Sequence, residues 1–228
     1  MKAVILAAGK GVRLLPLTEN MPKAMVLLHG KPLLEHLLLS LKEAEIKHVV
    51  IVVGYLKEKI IGYFGNSFDG MRIEYVEQKQ QLGTGHAILQ AQGAMKEDFL
   101  AGYADTIPVP GIWRQLEKAT GFDAVVAVRS VESPERFGVV EVKGKNVVSL
   151  EEKPLQPKSN LVLAGFYRFS PKVFGAIKKI KPSERGELEI TGAINVLAQK
   201  GKVGFVECKG KIIDIASLED LKQAEEEQ

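Results

Sequence analysis

KAVILAAGKGVR, residues 2–13, is the stretch on which the fold turns. Residues 2–8 are almost continuously apolar, the pattern of a strand buried on both faces rather than one with a wet side. A glycine-rich turn and Arg13 follow at once. A buried strand that ends in glycines and a cation marks the carboxyl edge of an α/β sheet, where such folds place ligands. The turn lacks the G-x-x-x-x-G-K-[ST] spacing of a P-loop and the third glycine of a dinucleotide fingerprint. As a lone motif G-x-G-x-R is equally compatible with a tight turn beside solvated cations. As a site, Gly9 and Gly11 would let backbone N–H groups approach an anion, and Arg13 would add a planar fork for phosphate oxygens. Lys23, in NMPKAM, adds a second positive charge.

Working outward, the pattern repeats. A helix is expected over 32–46, with Pro32 in its first turn, then a second buried strand, HVVIVVG, at 48–54. A short helix at 57–64, a strand at 72–78, a helix at 84–95 with Thr84 as N-cap, and strands at 97–105 and 123–128 complete the front half. This alternation predicts parallel strands. Beyond residue 130 the character changes. Residues 137–154 read as a hairpin turning at 143–146, followed by a strand at 161–170 and helices at 171–180 and 188–200. Strand-like VGFVEC and KIIDIAS come next, then a helix from Leu218 capped by Ser217. No linker separates the regions, so one domain is expected over 1–228, with a front half at 1–130 and a more antiparallel back half at 131–228.

The chain has 228 residues, 46% hydrophobic and 26% charged, enough for a sizeable core of ordinary soluble composition. Its net charge of +3 suits a small anionic ligand and is too weak to argue for nucleic acid. No apolar run is long enough to span a bilayer, no signal peptide is expected, and the single cysteine, Cys208, has no internal partner; together these predict a cytoplasmic location.

Further candidates stand at predicted strand ends. Asp105 and Asp214 each end an apolar strand. Two carboxylates facing a phosphate loop suit Mg²⁺, which takes one or two carboxylates plus substrate phosphates; each alone is also an ordinary turn residue. Gln78 offers donors and an acceptor to a base edge, and Gly83 allows close approach at a helix start, although the same segment taken alone reads first as a loop with an ordinary helix cap. Glu152 and Lys153, in EEKP, could grip sugar hydroxyls and a phosphate, or form a solvated cluster. The four histidines show no metal spacing, and no Ser/His/Asp or Cys/His arrangement is visible.

Taken in order, KAVILAAGKGVRLLPLTENMPKAM, GKPLLEHLL, VEQKQQLGTGHA, the Asp105 strand end, FGVVEV, EEKP, AGFYRF, GELEIT and IDIASLEDL run through essentially the whole chain. With this ordered set the chain resembles the sugar-1-phosphate nucleotidylyltransferases, or NDP-sugar pyrophosphorylases. The resemblance implies a Rossmann-like three-layer α/β/α, GT-A-like fold with a mixed, mostly parallel sheet and an antiparallel sugar-binding half. It implies transfer of a nucleotidyl group from UTP or dTTP to a hexose 1-phosphate such as glucose or N-acetylglucosamine 1-phosphate, with Mg²⁺ as cofactor and homo-oligomers common. Leu6, Ala8, Gly9, Gly11, Val12, Arg13 and Lys23 would then hold the nucleotide's phosphate side, and Gln78, Gly83, Thr84 and Asp105 its remainder. Gly138, Glu152 and Lys153 would face the sugar phosphate, Asp105 and Asp214 the metal. Arg13, Lys23 and Lys153 would be the catalytic cations.

Five positions depart from that pattern: Val12, where Thr or Ser is usual; Ala104 for Gly; Leu163 for Asn; Gly192 for Asp; and Ile213 for a large residue such as Trp. They motivate the alternative of a non-catalytic nucleotide or NDP-sugar sensor or regulatory subunit; a further alternative is a CTP-using enzyme acting on a non-sugar phosphate. Many relatives carry a C-terminal β-helix; with no hexapeptide repeat in this sequence, none is expected.

Overall fold

The computed structural model describes residues 1–226 of the chain. Its front half follows the alternation. Strand β1 (Lys2–Ala7) leads through short strands β2 (Leu27–Leu28) and β3 (Lys31–Pro32) into helix α1 (Leu33–Glu43). Strand β4 (His48–Val53), helix α2 (Lys57–Phe64), β5 (Ser67–Phe68), β6 (Met71–Glu77) and helix α3 (Thr84–Gln90) come next. Strands β7 (Phe99–Tyr103) and β8 (Thr106–Ile107), helix α4 (Ile112–Lys118) and strand β9 (Ala124–Ser130) complete it. The hairpin β10 (Gly138–Lys143) and β11 (Asn146–Glu152), strand β12 (Leu161–Phe169), and helices α5 (Lys172–Ile177) and α6 (Ile190–Ala198) open the back half. Strands β13 (Val203–Glu207) and β14 (Ile213–Asp214) and helix α7 (Leu218–Glu226) close it.

One ten-stranded mixed sheet runs β10-β11-β13-β9-β12-β7-β1-β4-β6-β5. From β7 through β6 the neighbours are parallel, as β-branched runs buried on both faces require. β12 is antiparallel to both β7 and β9. The back half does not stay open: β10 also pairs β12, through Val139 and Val162, so β10, β11, β13, β9 and β12 close into a small ring. Two apolar clusters, one on each side of β1, fill the space under the helices; Phe99 and Tyr167 belong to one, Trp113 and Phe166 to the other. Among the described residues no helix is long and apolar enough to cross a membrane.

Several expectations are corrected. Thr84 is not an N-cap; Gly83 occupies that place and Thr84 is the first helical residue. The helix expected to reach 95 ends at Gln90, and a 3₁₀ turn at Ala91–Gly93 takes over where the chain tightens at a glycine. Pro32 lies before α1 rather than in its first turn. Asp105 stands in the turn beyond β7, not on the strand, and KIIDIAS is extended only at Ile213–Asp214. Helix α4 was unforeseen. It is short, begins at a left-handed Gly111 without a side-chain cap, and is held by burial of Ile112, Trp113 and Leu116. The helix from Leu218 is present, and Ser217 does cap it: its Oγ accepts the Asp220 N–H at 3.3 Å, while Asp220 Oδ2 accepts the Ala216 N–H at 3.0 Å.

Candidate active site

A cavity of about 610 Å³ opens at the carboxyl ends of β1 and β7, where the front sheet meets the ring. Leu6, Ala8, Gly9, Arg13, Lys23, Gln78, Gly83, Thr84, Asp105, Gly138, Glu152, Lys153 and Asp214 all line it. Gly11 and Val12 do not. Gly11 is left-handed (φ 69°), and a Cβ there would meet Lys23 Cβ at 2.8 Å, so this glycine lets the loop lie down on Lys23. Thr18 fixes the same turn from beneath, donating to the Gly11 carbonyl at 2.7 Å. Val12 is 65% exposed and outside the lining. The Gly9 position is open, with nothing within 4 Å of a Cβ built on it. Of the other departures, Ala104, Leu163 and Ile213 line the cavity, while Gly192 faces Ile180 from α6.

The two aspartates, far apart in sequence, are joined by the small antiparallel pair β8 and β14. Asp214 registers with Thr106, and the Ile215 N–H donates to the Asp105 carbonyl at 3.0 Å. The Lys23 ammonium forms an ion pair with the Asp105 carboxylate. Removal from water pushes the Asp214 carboxyl up to about 6, and repulsion from Asp105 adds to that; Lys23 and Arg129 pull the other way. Two carboxylates side by side, with an ammonium lying on one of them, are suited to a divalent cation. Among the described residues no group of three or more acids, histidines or cysteines forms a protein-only metal cluster. That donor set fits Mg²⁺, which draws its remaining ligands from phosphates and water.

A pH dependence follows. The folded value of Asp214, about 6, lies above its ordinary 3.8, so the folded state binds the extra proton. The contribution is fully present below about pH 4 and is lost as pH rises through about 6. In chelator, the melting temperature of Asp214→Asn should therefore gain on the parent across that window and hold the gain above it. Excess Mg²⁺ at pH 7 should narrow the difference. A difference flat from pH 4 to 7 would exclude this coupling.

Across the cavity, Gln78 is buried, and its Nε2 donates to the Gly83 carbonyl at 3.1 Å. Nε2 also lies 3.0 Å from His86 Nδ1, so both contacts of the amide nitrogen orient the side chain and leave Oε1 as its acceptor end. The loop carrying Gly83 is docked on the segment before α6: the Leu188 N–H donates to Leu82 O at 2.8 Å and the Gly85 N–H to Leu188 O at 2.7 Å. The Thr84 hydroxyl oxygen accepts the Ile190 N–H at 3.0 Å, so its placement serves this docking.

On the far wall Glu152 Oε2 accepts the Thr191 hydroxyl at 2.6 Å, and Glu152 Oε1 lies 3.6 Å from Arg185. Lys153 is exposed, with a positive φ of 47°, and its N–H donates to Phe137 O at 3.0 Å. A Cβ at Gly138 would meet Leu163 Cδ1 at 3.0 Å and Glu152 Oε2 at 3.3 Å, so only glycine leaves these two side chains in place. The floor includes Tyr103 and Tyr167, whose hydroxyls lie 3.2 Å apart and whose phenols burial holds neutral. Arg129, Arg185, Glu189 and Thr191 also line the cavity. The sequence reading assigned them no role: Glu189 and Thr191 lie in GELEIT, read only as part of the ordered set, nothing local marks Arg129 or Arg185, and only the docking of distant segments brings them in.

The nucleotidyl transferase family model matches residues 2–228. The bifunctional protein GlmU of Methanococcus maripaludis is 42% identical over 227 residues, covering 98% of this chain and 53% of that protein. The chain thus spans about half the length of the curated GlmU relatives it matches. The UTP–glucose-1-phosphate uridylyltransferase AglF of Haloferax volcanii is 39% identical over 234 residues, covering 99% of this chain and 96% of that one. Among solved structures, one described as a glucose-1-phosphate thymidylyltransferase from Bacillus anthracis in complex with a sucrose superposes with a TM-score of 0.91 at 30% identity, over 99% of this chain and 94% of the other. UDP-glucose pyrophosphorylase complexed with UDP-glucose gives 0.88 at 27% identity, over 99% and 97%.

Proposed function

This chain belongs to the nucleotidyl transferase family, and we propose that it transfers a uridylyl or thymidylyl group from UTP or dTTP to a hexose 1-phosphate, releasing pyrophosphate. One observation carries the reading: Arg13, Lys23 and Lys153 line the same cavity as the Asp105 and Asp214 pair, and that cavity is large enough for both substrates. We read the chain as one domain of Rossmann-like, layered GT-A type, with a nucleotide half at 1–130 and a sugar half at 131–228.

The attacking group is an oxygen of a phosphate monoester, already largely dianionic near neutral pH, so no dedicated base is required. It forms a bond to the α-phosphorus as the bond to the β-phosphate oxygen breaks, and pyrophosphate departs with the negative charge. The obstacle is repulsion between anions, and positioning with fixed positive charge lowers it. Arg13 and Lys23, with the backbone of loop 9–13, hold the triphosphate. Lys153 draws in the sugar phosphate, and Glu152 accepts from sugar hydroxyls. Asp105 and Asp214 would hold Mg²⁺, which supplies charge neutralisation to the phosphates when bound. Gln78 Oε1 presents an acceptor, matched to the imide N–H of uracil or thymine; cytosine would present a second acceptor there.

Pyrophosphate release should be seen with UTP or dTTP and either glucose or N-acetylglucosamine 1-phosphate. CTP should be disfavoured by at least about tenfold in kcat/KM, the cost of an unmatched polar contact. No release with any such pair would exclude the function, and a CTP preference would overturn the role given to Gln78.

A further inference from the structure

Arg129, on β9, lines the cavity at the place where its two walls meet. One Nη1–H donates to the Ile212 carbonyl at 3.3 Å. The guanidinium carbon lies over the Phe137 ring, 5.2 Å from its centroid. Nε is out of reach of solvent and has no hydrogen-bond partner among the described residues. Ile212 belongs to the segment that carries Asp214. Phe137 precedes Gly138, and its carbonyl receives the Lys153 N–H. A single guanidinium therefore touches both the segment bearing the carboxylate and the residue whose carbonyl holds the Lys153 main chain.

Among the described residues the protein uses only one of the several N–H donors this group carries. A partly buried cation with donors left over is costly unless an anion completes it. A cation–π contact with Phe137 helps hold the guanidinium in place, and a planar fork suits two phosphate oxygens better than an ammonium does. We propose that Arg129 binds the phosphate of the sugar 1-phosphate, in the space between Asp214 and Lys153. The identity of the anion rests on the nucleotidyltransferase reading; the presence of an anion site at Arg129 does not. In this arrangement Lys153 approaches the same phosphate from the solvent side, and Arg129 fixes its orientation from within. Arg13 and Lys23 are left to the triphosphate.

The test pairs Arg129→Gln and Arg129→Lys in the full chain, with circular dichroism confirming that each folds. Steady-state kinetics would be read for both substrates, and calorimetry would titrate glucose 1-phosphate and, separately, inorganic phosphate. Arg129→Gln should raise the KM for sugar 1-phosphate and the Kd for glucose 1-phosphate by about 10- to 100-fold, the loss of a charge-assisted contact. The KM for the nucleotide should stay within about twofold, since the triphosphate cations are untouched. Arg129→Lys, which keeps the charge and loses the fork, should fall between, and it carries the test should the glutamine variant not fold. Equal losses for both substrates would mean a structural role through Ile212 and would overturn the proposal. So would unchanged affinity for glucose 1-phosphate in both variants. A parent that turns over no substrate pair yet binds inorganic phosphate, with Arg129→Gln binding it at least about tenfold more weakly, would sink the functional reading and leave the anion site standing.

Discussion

Asp105→Asn is expected to lower kcat/KM by on the order of a thousandfold, the scale seen when a group that stabilises charge in a transition state is removed. The substitution keeps the size of the side chain and removes its charge. Asp105 holds Lys23 in place, and with Asp214 it makes up the pair of carboxylates on which a cation can sit. Both services need the carboxylate. The fold should tolerate the change, because the link to β14 at this position runs through the main chain, from Ile215 N–H to Asp105 O. Stability should move by about 1 kcal/mol or less: the lost ion pair is partly exposed, and Asp214 gains from the loss of its repelling neighbour. Urea unfolding and steady-state kinetics on one preparation separate the two effects. A kinetic loss below about tenfold, with the fold intact, would remove Asp105 from the chemistry.

What made Asp105 and Asp214 legible in the sequence was their position. Each follows a run of β-branched or apolar residues, and a charged residue in such a place must face either solvent or a ligand. Their adjacency could not be read, because it depends on a two-residue strand pairing with another two-residue strand, and pairs that short leave no periodicity. The front strands were read correctly for the opposite reason. Beyond His48, β4 is apolar at every position, VVIVV, so only a strand buried on both faces accommodates it. Helix α4 escaped because VPGIWRQLEK opens with helix-breaking residues and supplies a single turn of apolar spacing; Trp113 holds it from the tertiary side, edge-on to Phe166 at 5.1 Å. The closing of the back half into a ring was hidden in the same way, since single bridges such as Val139 to Val162 carry no mark in composition. Arg129 reads locally as the last turn of a strand pattern, AVVAVRS, and only Ile212 and Phe137, brought in from elsewhere, give it a place in the cavity.

Gly83→Val is expected to be the most damaging single change at the nucleotide wall. Gly83 sits at φ 100°, ψ 174°, a conformation essentially reserved for glycine. A Cβ there would meet Leu188 N and Leu188 O, each at 2.8 Å, and both are main-chain atoms that cannot swing aside. Backbone strain and steric overlap together predict a loss of about 2 to 5 kcal/mol of stability. The strain would be relieved by parting loop 82–85 from segment 187–190, which breaks the Leu188 to Leu82 and Gly85 to Leu188 hydrogen bonds. It would also shift the Gly83 carbonyl that orients Gln78. Among molecules that remain folded, the KM for UTP or dTTP should therefore rise by at least about tenfold, more than the KM for sugar 1-phosphate, because Gln78 loses one of the two contacts that aim its acceptor. Gly93→Ala is the matching control. A Cβ at Gly93 meets nothing within 4 Å and its φ is ordinary, so that change should be neutral or slightly stabilising. If Gly83→Val unfolds at the parental denaturant concentration and binds nucleotide as well as the parent, the docking of this loop has no part in holding Gln78 to its task.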